Sequence, residues 1–329
     1  MITNVFVPLF KDFINRILQQ ETNVFNLLTH EANIMKITEW IKAARLRTLF
    51  LSLSCIWAGL LSVQTVQKVD LLISVFTFLT ALFLQILSNF ANDYGDSIHG
   101  ADNTTRKGPS RAVQSGVITK EQMKFAMIIF AALSFISGCF LLFLAEPIIG
   151  STAVFSLLGL GLAAIAAAIA YTNGKRPYGY AGLGDISVFI FFGLVAVLGT
   201  QYLQTAAINK VAVWLACAFG FLSVGVLNLN NMRDISSDIL AGKKSIPVRL
   251  GLPKAKIYHT LLLSLALLCL LVVANELHLN AWVIPAFSFI IGLNLFLNYK
   301  VKEEIGFDPL LKWLSLSTFL LSIILFMAL

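Results

Sequence analysis

The chain has 329 residues, 58% of them hydrophobic and only 12% charged, with a formal net charge of +7. A soluble domain of this length needs far more polar surface, so the composition excludes the soluble globular class and points to the membrane. In chain order, residues 1–35 come first, as an extension of uncertain role. Val5 to Leu18 has the pattern of an amphipathic helix lying on a membrane. It lacks a basic n-region and a small-residue cleavage site, so it does not read as a secretory signal. Met35 opens a stretch through Trp40 that would serve as a start, which would make the first 34 residues dispensable.

Nine apolar runs follow, at roughly 48–66, 70–91, 122–145, 148–171, 182–202, 211–232, 257–275, 280–298 and 311–328. Each approaches the roughly 20 residues needed to cross a bilayer core. Irregular backbone facing lipid would leave peptide groups unpaired, so the runs are expected to be helices. Cys55, Cys139, Cys217 and Cys269 each sit alone inside such a run and read as small buried hydrophobes. With nine spans, every Lys and Arg except Lys68 and Lys210 falls on one side of the membrane. The positive-inside rule then puts the N-terminus and the loops after spans 2, 4, 6 and 8 in the cytoplasm. Charge confined to one face of a multi-spanning protein argues against a nucleic-acid partner.

The two longest of these loops carry related residues. An offset of 138 positions pairs Asn92 with Asn230, Asp96 with Asp234, Arg106 with Lys244, Pro109 with Pro247 and Arg111 with Arg249. Asp93 and Asp96 are three apart, Asp234 and Asp238 four apart, and either spacing puts both carboxylates on one face of a helix. Acids at the ends of apolar spans are costly and usually face an interior cavity. Their mutual repulsion calls for a cation. Two readings satisfy that need. The Lys and Arg of the same loops neutralise the acids in a structural network, or Mg²⁺ bridges both clusters to a phosphate-bearing ligand, with basic residues on the remaining phosphate oxygens. An ion-coupled transporter also accounts for a repeat and for intramembrane acids. It does not explain why both acid clusters lie at cytoplasmic helix ends beside Arg- and Lys-rich loops.

Three segments carry a family resemblance. Asn92-Asp93-Tyr94-Gly95-Asp96, followed by Asp102, Arg106 and the run from Gly108 to Gly116, resembles the first Asp-rich motif of UbiA-type prenyltransferases. Asn230 to Asp238, with Gly242-Lys243-Lys244 and Val248-Arg249-Leu250-Gly251, resembles the second. Between them, Tyr171 to Tyr180 and Gly182-Leu183-Gly184-Asp185 resemble the superfamily's Tyr-x-x-x-Lys segment and the loop after it. The likeness runs over most of residues 40–328. The six-residue step from Asp96 to Asp102 and the wording Gly-Pro-x-Arg-Ala, Gly-Lys-Arg-Pro-Tyr-Gly-Tyr and Gly-Leu-Gly-Asp resemble the branch that acts on 1,4-dihydroxy-2-naphthoate.

The resemblance implies an all-α membrane protein of nine transmembrane helices around a central cavity, with cytoplasmic cap loops, residues 36–329 forming the prenyltransferase domain. It implies Mg²⁺ as cofactor, a polyprenyl diphosphate donor, a 1,4-dihydroxy-2-naphthoate acceptor and a place in the bacterial inner membrane. Other aromatic acceptors such as 4-hydroxybenzoate are the alternative. Asn92, Asp93, Asp96, Asp102, Asn230, Asp234 and Asp238 would hold the metal. Arg106, Lys175, Arg233 and Lys244 would touch the diphosphate, and Arg111 and Arg249 would bind the acceptor carboxylate or cap the site. Tyr171 would sit near the reacting allylic carbon, and Asp185 would orient Lys175 or the aromatic hydroxyls. Plainer roles stand beside these. Lys175 anchors a loop, Tyr171 belongs to an interfacial aromatic belt, Asp102 caps a loop, and His99 is a solvated loop residue.

Overall fold

The computed structural model describes residues 37–100, 108 and 111–329. The expected surface helix at 5–18 and the site residues Asp102 and Arg106 lie outside the described residues. Among those described the structure is helical, without strands, and nine helices are long and apolar enough to cross a membrane. They are α1 (Leu46–Gln64), α2 (Leu71–Ile98), α3 (Lys120–Ile149), α4 (Ser151–Ala170), α5 (Gly184–Thr205), α6 (Lys210–Arg233), α7 (Leu252–Glu276), α8 (Val283–Lys300) and α9 (Phe307–Ala328).

Polar residues at the helix starts satisfy amides that have no intrahelical partner. Asp70 accepts from Ile73 N at 2.9 Å to open α2, and Asn209 accepts from Ala212 N at 2.8 Å to open α6. Thr119 and Gln122 form a reciprocal capping box on α3. Gly150, at φ 78°, ends α3 and starts α4 in a single residue, a backbone conformation suited to glycine. In α5 the stretch Phe189–Leu198 is π-helical. There Gly193 meets α6 so closely that a Cβ would lie 2.6 Å from Ala216 O and 2.8 Å from Gly220 Cα.

α6 is the central helix, packed against α5, α7 and α9. Its Phe219, Leu222 and Leu229 join Leu263 of α7, Phe287 of α8 and Leu314 of α9 in the largest apolar core. A smaller core joins Leu87 and Phe90 of α2 to Met123 of α3 and to Ile118. The outward faces carry large apolar side chains such as Phe143, Phe155 and Phe289. In a soluble protein that surface would be a liability, and here it matches lipid. α4 has no buried residue and packs mainly on α2 and α3.

Two boundaries differ from the sequence expectation in a way that matters. The second apolar run ends near residue 91, yet α2 continues through Ile98, closed by His99 N donating to Gly95 O at 3.1 Å. Hydropathy falls where the acids begin, but the backbone ladder does not need apolar side chains. Asn92, Asp93 and Asp96 therefore stand on the last turns of a helix. α7 likewise begins at Leu252, five residues before the apolar run.

Candidate active site

A cavity of about 740 Å³ runs down the helix bundle. Its lower walls are apolar, with Leu141, Leu142, Leu157, Phe192 and Leu203 among them, whereas one end is ringed by Asn92, Asp93, Asp96, Asn230, Asp234 and Asp238. The acids of both loops thus converge at one end of one cavity.

Hydrogen bonds lace three segments together there. Thr172 Oγ1 donates to Ala91 O at 2.9 Å and to Asn92 Oδ1 at 3.2 Å, and Asn173 Nδ2 donates to Ala91 O at 2.9 Å. These bonds dock the α4–α5 loop on the acidic end of α2. The approach requires glycine at 95, since a Cβ would lie 2.6 Å from both Thr172 O and Thr172 Oγ1. On the other side Lys244 N donates to Tyr180 O at 2.9 Å. Arg249 donates to Lys244 O at 2.9 Å and to Ala181 O at 2.6 Å, clamping the segment after α6 to the same loop.

Asp96 is the most heavily engaged acid. It accepts from Tyr180 Oη at 2.7 Å and from Arg111 Nη1, and its Oδ1 lies 3.1 Å from Lys243 Nζ. The same ammonium lies 3.3 Å from Asp238 Oδ1, so Lys243 bridges the two acid segments. Asp238 stands on the short helix Ile235–Leu240, and burial lifts its carboxyl to about 6 against the opposing pull of Lys243. Asp234 is gripped by Arg233 through Nε at 2.9 Å and Nη2 at 2.7 Å. Arg233 is 1% exposed and also donates to Asp308 Oδ1 at 2.7 Å and Asn230 Oδ1 at 2.9 Å. Asp308 in turn accepts from Arg47 at 3.0 Å.

Tyr171 lines the cavity directly after α4, its ring edge-on to Tyr178 with centroids 5.3 Å apart. Burial, then the nearby Asp185, raises its phenol above the usual range, so it keeps its proton. Asp185 is buried at the cavity wall and accepts from Tyr258 Oη at 2.8 Å.

Several expected roles need revision. Arg233 lines the cavity but directs its donors to Asp234, Asp308 and Asn230. Lys244 is exposed and outside the cavity wall, and its neighbour Lys243 faces inward instead. Arg249 clamps backbone carbonyls rather than facing the cavity. Asp185 accepts from Tyr258, a partner not expected from sequence, and Lys175 is exposed on the α4–α5 loop. His99 is bound by Gly95 O and Gly174 O at 2.9 and 3.1 Å and is not a loosely solvated residue. Lys243, Tyr180 and the Arg47–Asp308 pair were not singled out from sequence. The 138-residue offset aligned Arg106 with Lys244, and a loop is free to turn either of two adjacent lysines inward. Tyr180 sits at the end of the Gly-Lys-Arg-Pro-Tyr-Gly-Tyr run, where a hydroxyl among acids was the available signal.

The cavity end suits a hard divalent cation. Carboxylate and amide oxygens from two elements face it, and Asp93, 2% exposed, has a buried Oδ1 with no hydrogen-bond partner. A buried anionic oxygen left without a partner is costly, and a bound cation would satisfy it.

Comparisons with known proteins agree with this architecture. The model of the UbiA prenyltransferase family matches residues 52–305, which include both acid segments. A 1,4-dihydroxy-2-naphthoate octaprenyltransferase of Haemophilus influenzae is 40% identical over 296 residues, covering 88% of this chain and 94% of that one. The Escherichia coli protein of the same name is 44% identical over 240 residues, 73% of this chain and 77% of that one. A UbiA homologue of Archaeoglobus fulgidus, solved bound to DMAPP and Mg²⁺, superposes with a TM-score of 0.59 at 15% identity, covering 88% of this chain and 100% of that one. An apo UbiA homologue of Aeropyrum pernix K1 gives 0.60 at 18%, covering 86% and 97%. With nine apolar helices among its described residues, its paired acid segments and these matches over most of its length, the chain belongs to the UbiA prenyltransferase family.

Proposed function

We propose that this protein transfers a polyprenyl group from polyprenyl diphosphate to 1,4-dihydroxy-2-naphthoate, releasing CO₂ and diphosphate and giving the demethylmenaquinone skeleton. The observation that carries the reading is the convergence of two acid segments, bridged by Lys243, at the polar end of an otherwise apolar cavity. Full-length relatives of that name support the acceptor. The one-sided distribution of Lys and Arg supports placing the polar end at the cytoplasmic face of a bacterial inner membrane.

Asn92, Asp93, Asp96, Asn230, Asp234 and Asp238 would hold magnesium, with Asp102 as a further candidate. Magnesium held by these residues would supply the Lewis-acid charge that neutralises a leaving diphosphate. Arg111 and Lys243 supply positive charge over the leaving diphosphate. Lys175 adds to it from the exposed loop, with Arg106 a further candidate. The apolar walls take the prenyl tail and keep water from the developing allylic cation. Tyr171, protonated and facing the cavity, offers its aromatic face to that cation. The ring carbon bearing the carboxylate attacks as the carbon–oxygen bond breaks. The electron pair of the lost carbon–carboxylate bond then restores the aromatic ring, and no covalent enzyme intermediate is required.

Protein purified in detergent, without sealed vesicles, is expected to form the prenylated naphthalene product from the two substrates, as read by mass. EDTA should abolish turnover and Mg²⁺ restore it, with Asp96→Asn and Asp234→Asn each at least about a hundredfold slower, the scale of losing a charge-assisted site interaction. Full activity in either variant would remove the metal assignment.

A further inference from the structure

Lys243 stands between the two acid segments, in the space that the proposed chemistry gives to the metal. Its ammonium lies within 3.3 Å of carboxylates from both acid segments and 4.8 Å above the centroid of the Tyr180 ring, with the side chain 16% exposed. Asp96 belongs to α2 and Asp238 to the short helix after α6, so this one charge joins two elements. An ammonium and a divalent cation do not share the space between the same carboxylates, because like charges a few ångströms apart in a partly buried site repel. A diphosphate changes that balance. It brings enough negative charge for both cations, and a lysine has a flexible stem and three donors with which to move from a carboxylate to a phosphate oxygen.

Building on the magnesium reading, we propose that Lys243 is an internal counter-ion that ties Asp96 to Asp238 before the donor arrives and yields to the metal when diphosphate enters. The site then takes its metal together with the donor and not ahead of it. Lys243 is a positioning residue in the empty site and a diphosphate contact in the filled one. A purely structural lysine predicts the opposite sign in the key measurement, since its loss would loosen the acids and weaken metal binding.

The experiment uses the full chain in detergent and Mn²⁺, a spin-active ion that also favours oxygen ligands. Binding is followed by electron paramagnetic resonance with and without inorganic pyrophosphate, and Asp234→Asn defines binding at this site. Wild type is expected to bind Mn²⁺ weakly alone and tightly with pyrophosphate. Lys243→Met is expected to bind Mn²⁺ alone roughly tenfold more tightly or better, the scale of removing one like charge from a partly buried site. Lys243→Gln is the second neutral variant, for use if Lys243→Met does not fold, and Lys243→Arg should stay as weak as wild type. Unchanged or weaker metal-alone binding in the neutral variants, with the pyrophosphate response of wild type intact, overturns the counter-ion. Tight metal-alone binding by wild type overturns it equally. Wild type that binds no Mn²⁺ at this site even with pyrophosphate overturns the magnesium reading, and this inference with it.

Discussion

At the scale of single residues, the site is organised by which donors face which carboxylates. Arg233 is the clearest case, a fully buried guanidinium with a two-pronged grip on Asp234 and a further bond to Asp308. Replacing it by Met takes the two-pronged cation from buried Asp234, while Asp308 keeps Arg47 and Lys312, a change expected to cost about 3 kcal/mol. Thermal unfolding in detergent should show that loss. Arg233→Lys keeps the charge but not the fork, so it should unfold nearer to wild type while activity still falls. Tyr180 has a subtler role, its hydroxyl orienting Asp96 at 2.7 Å. Tyr180→Phe is expected to lower kcat/KM for the donor about tenfold, the worth of one hydrogen bond to a charged group. Steady-state kinetics with varied donor check it.

At the scale of helices and loops, the site depends on close approaches that only glycine permits. Gly95 lets the α4–α5 loop lie directly on α2, with Thr172 backbone and side chain both 2.6 Å from where a Cβ would stand. Alanine is intrinsically the better helix former by about 1 kcal/mol. Here that gain is outweighed, because the atoms it meets include backbone that cannot swing aside. Gly95→Ala is expected to displace Tyr171 and lower activity at least about tenfold, the penalty of misplacing a substrate-facing group. Gly159, in the exposed α4 with nothing within 4 Å, supplies the contrast. Gly159→Ala should leave activity unchanged, and turnover assays on the two variants side by side test the distinction.

At the scale of the whole molecule, one end of the cavity is polar and the rest apolar, which matches a donor with a charged head and a hydrocarbon tail. Gly138 of α3 lines the apolar part, and a Cβ there would meet only Thr80 Cγ2 at 3.7 Å. Gly138→Phe is therefore expected to fill the tail's path without disturbing the acids. Given a mixture of donors, the variant should shift its products toward shorter prenyl chains, as read by mass.

The sequence by itself determined the nine membrane helices of the described residues, because chain length per bilayer crossing and the cost of unpaired peptide groups leave little choice. It also put the acids of residues 93–96 and 234–238 at the ends of apolar spans, where a charge needs a partner. Only the tertiary structure decided which basic residues serve them. Lys243 and Lys244 are adjacent and chemically identical, and the turn after Asp238, pinned by Lys244 N on Tyr180 O, is what sends one inward and the other out. The commitment of Arg233 to Asp234 and Asp308 was equally hidden, because Asp308 lies 75 residues further along the chain and meets it only when α9 packs on α6. Local spacing sets which face of a helix a side chain occupies, but its partner on another helix is set by how the bundle closes.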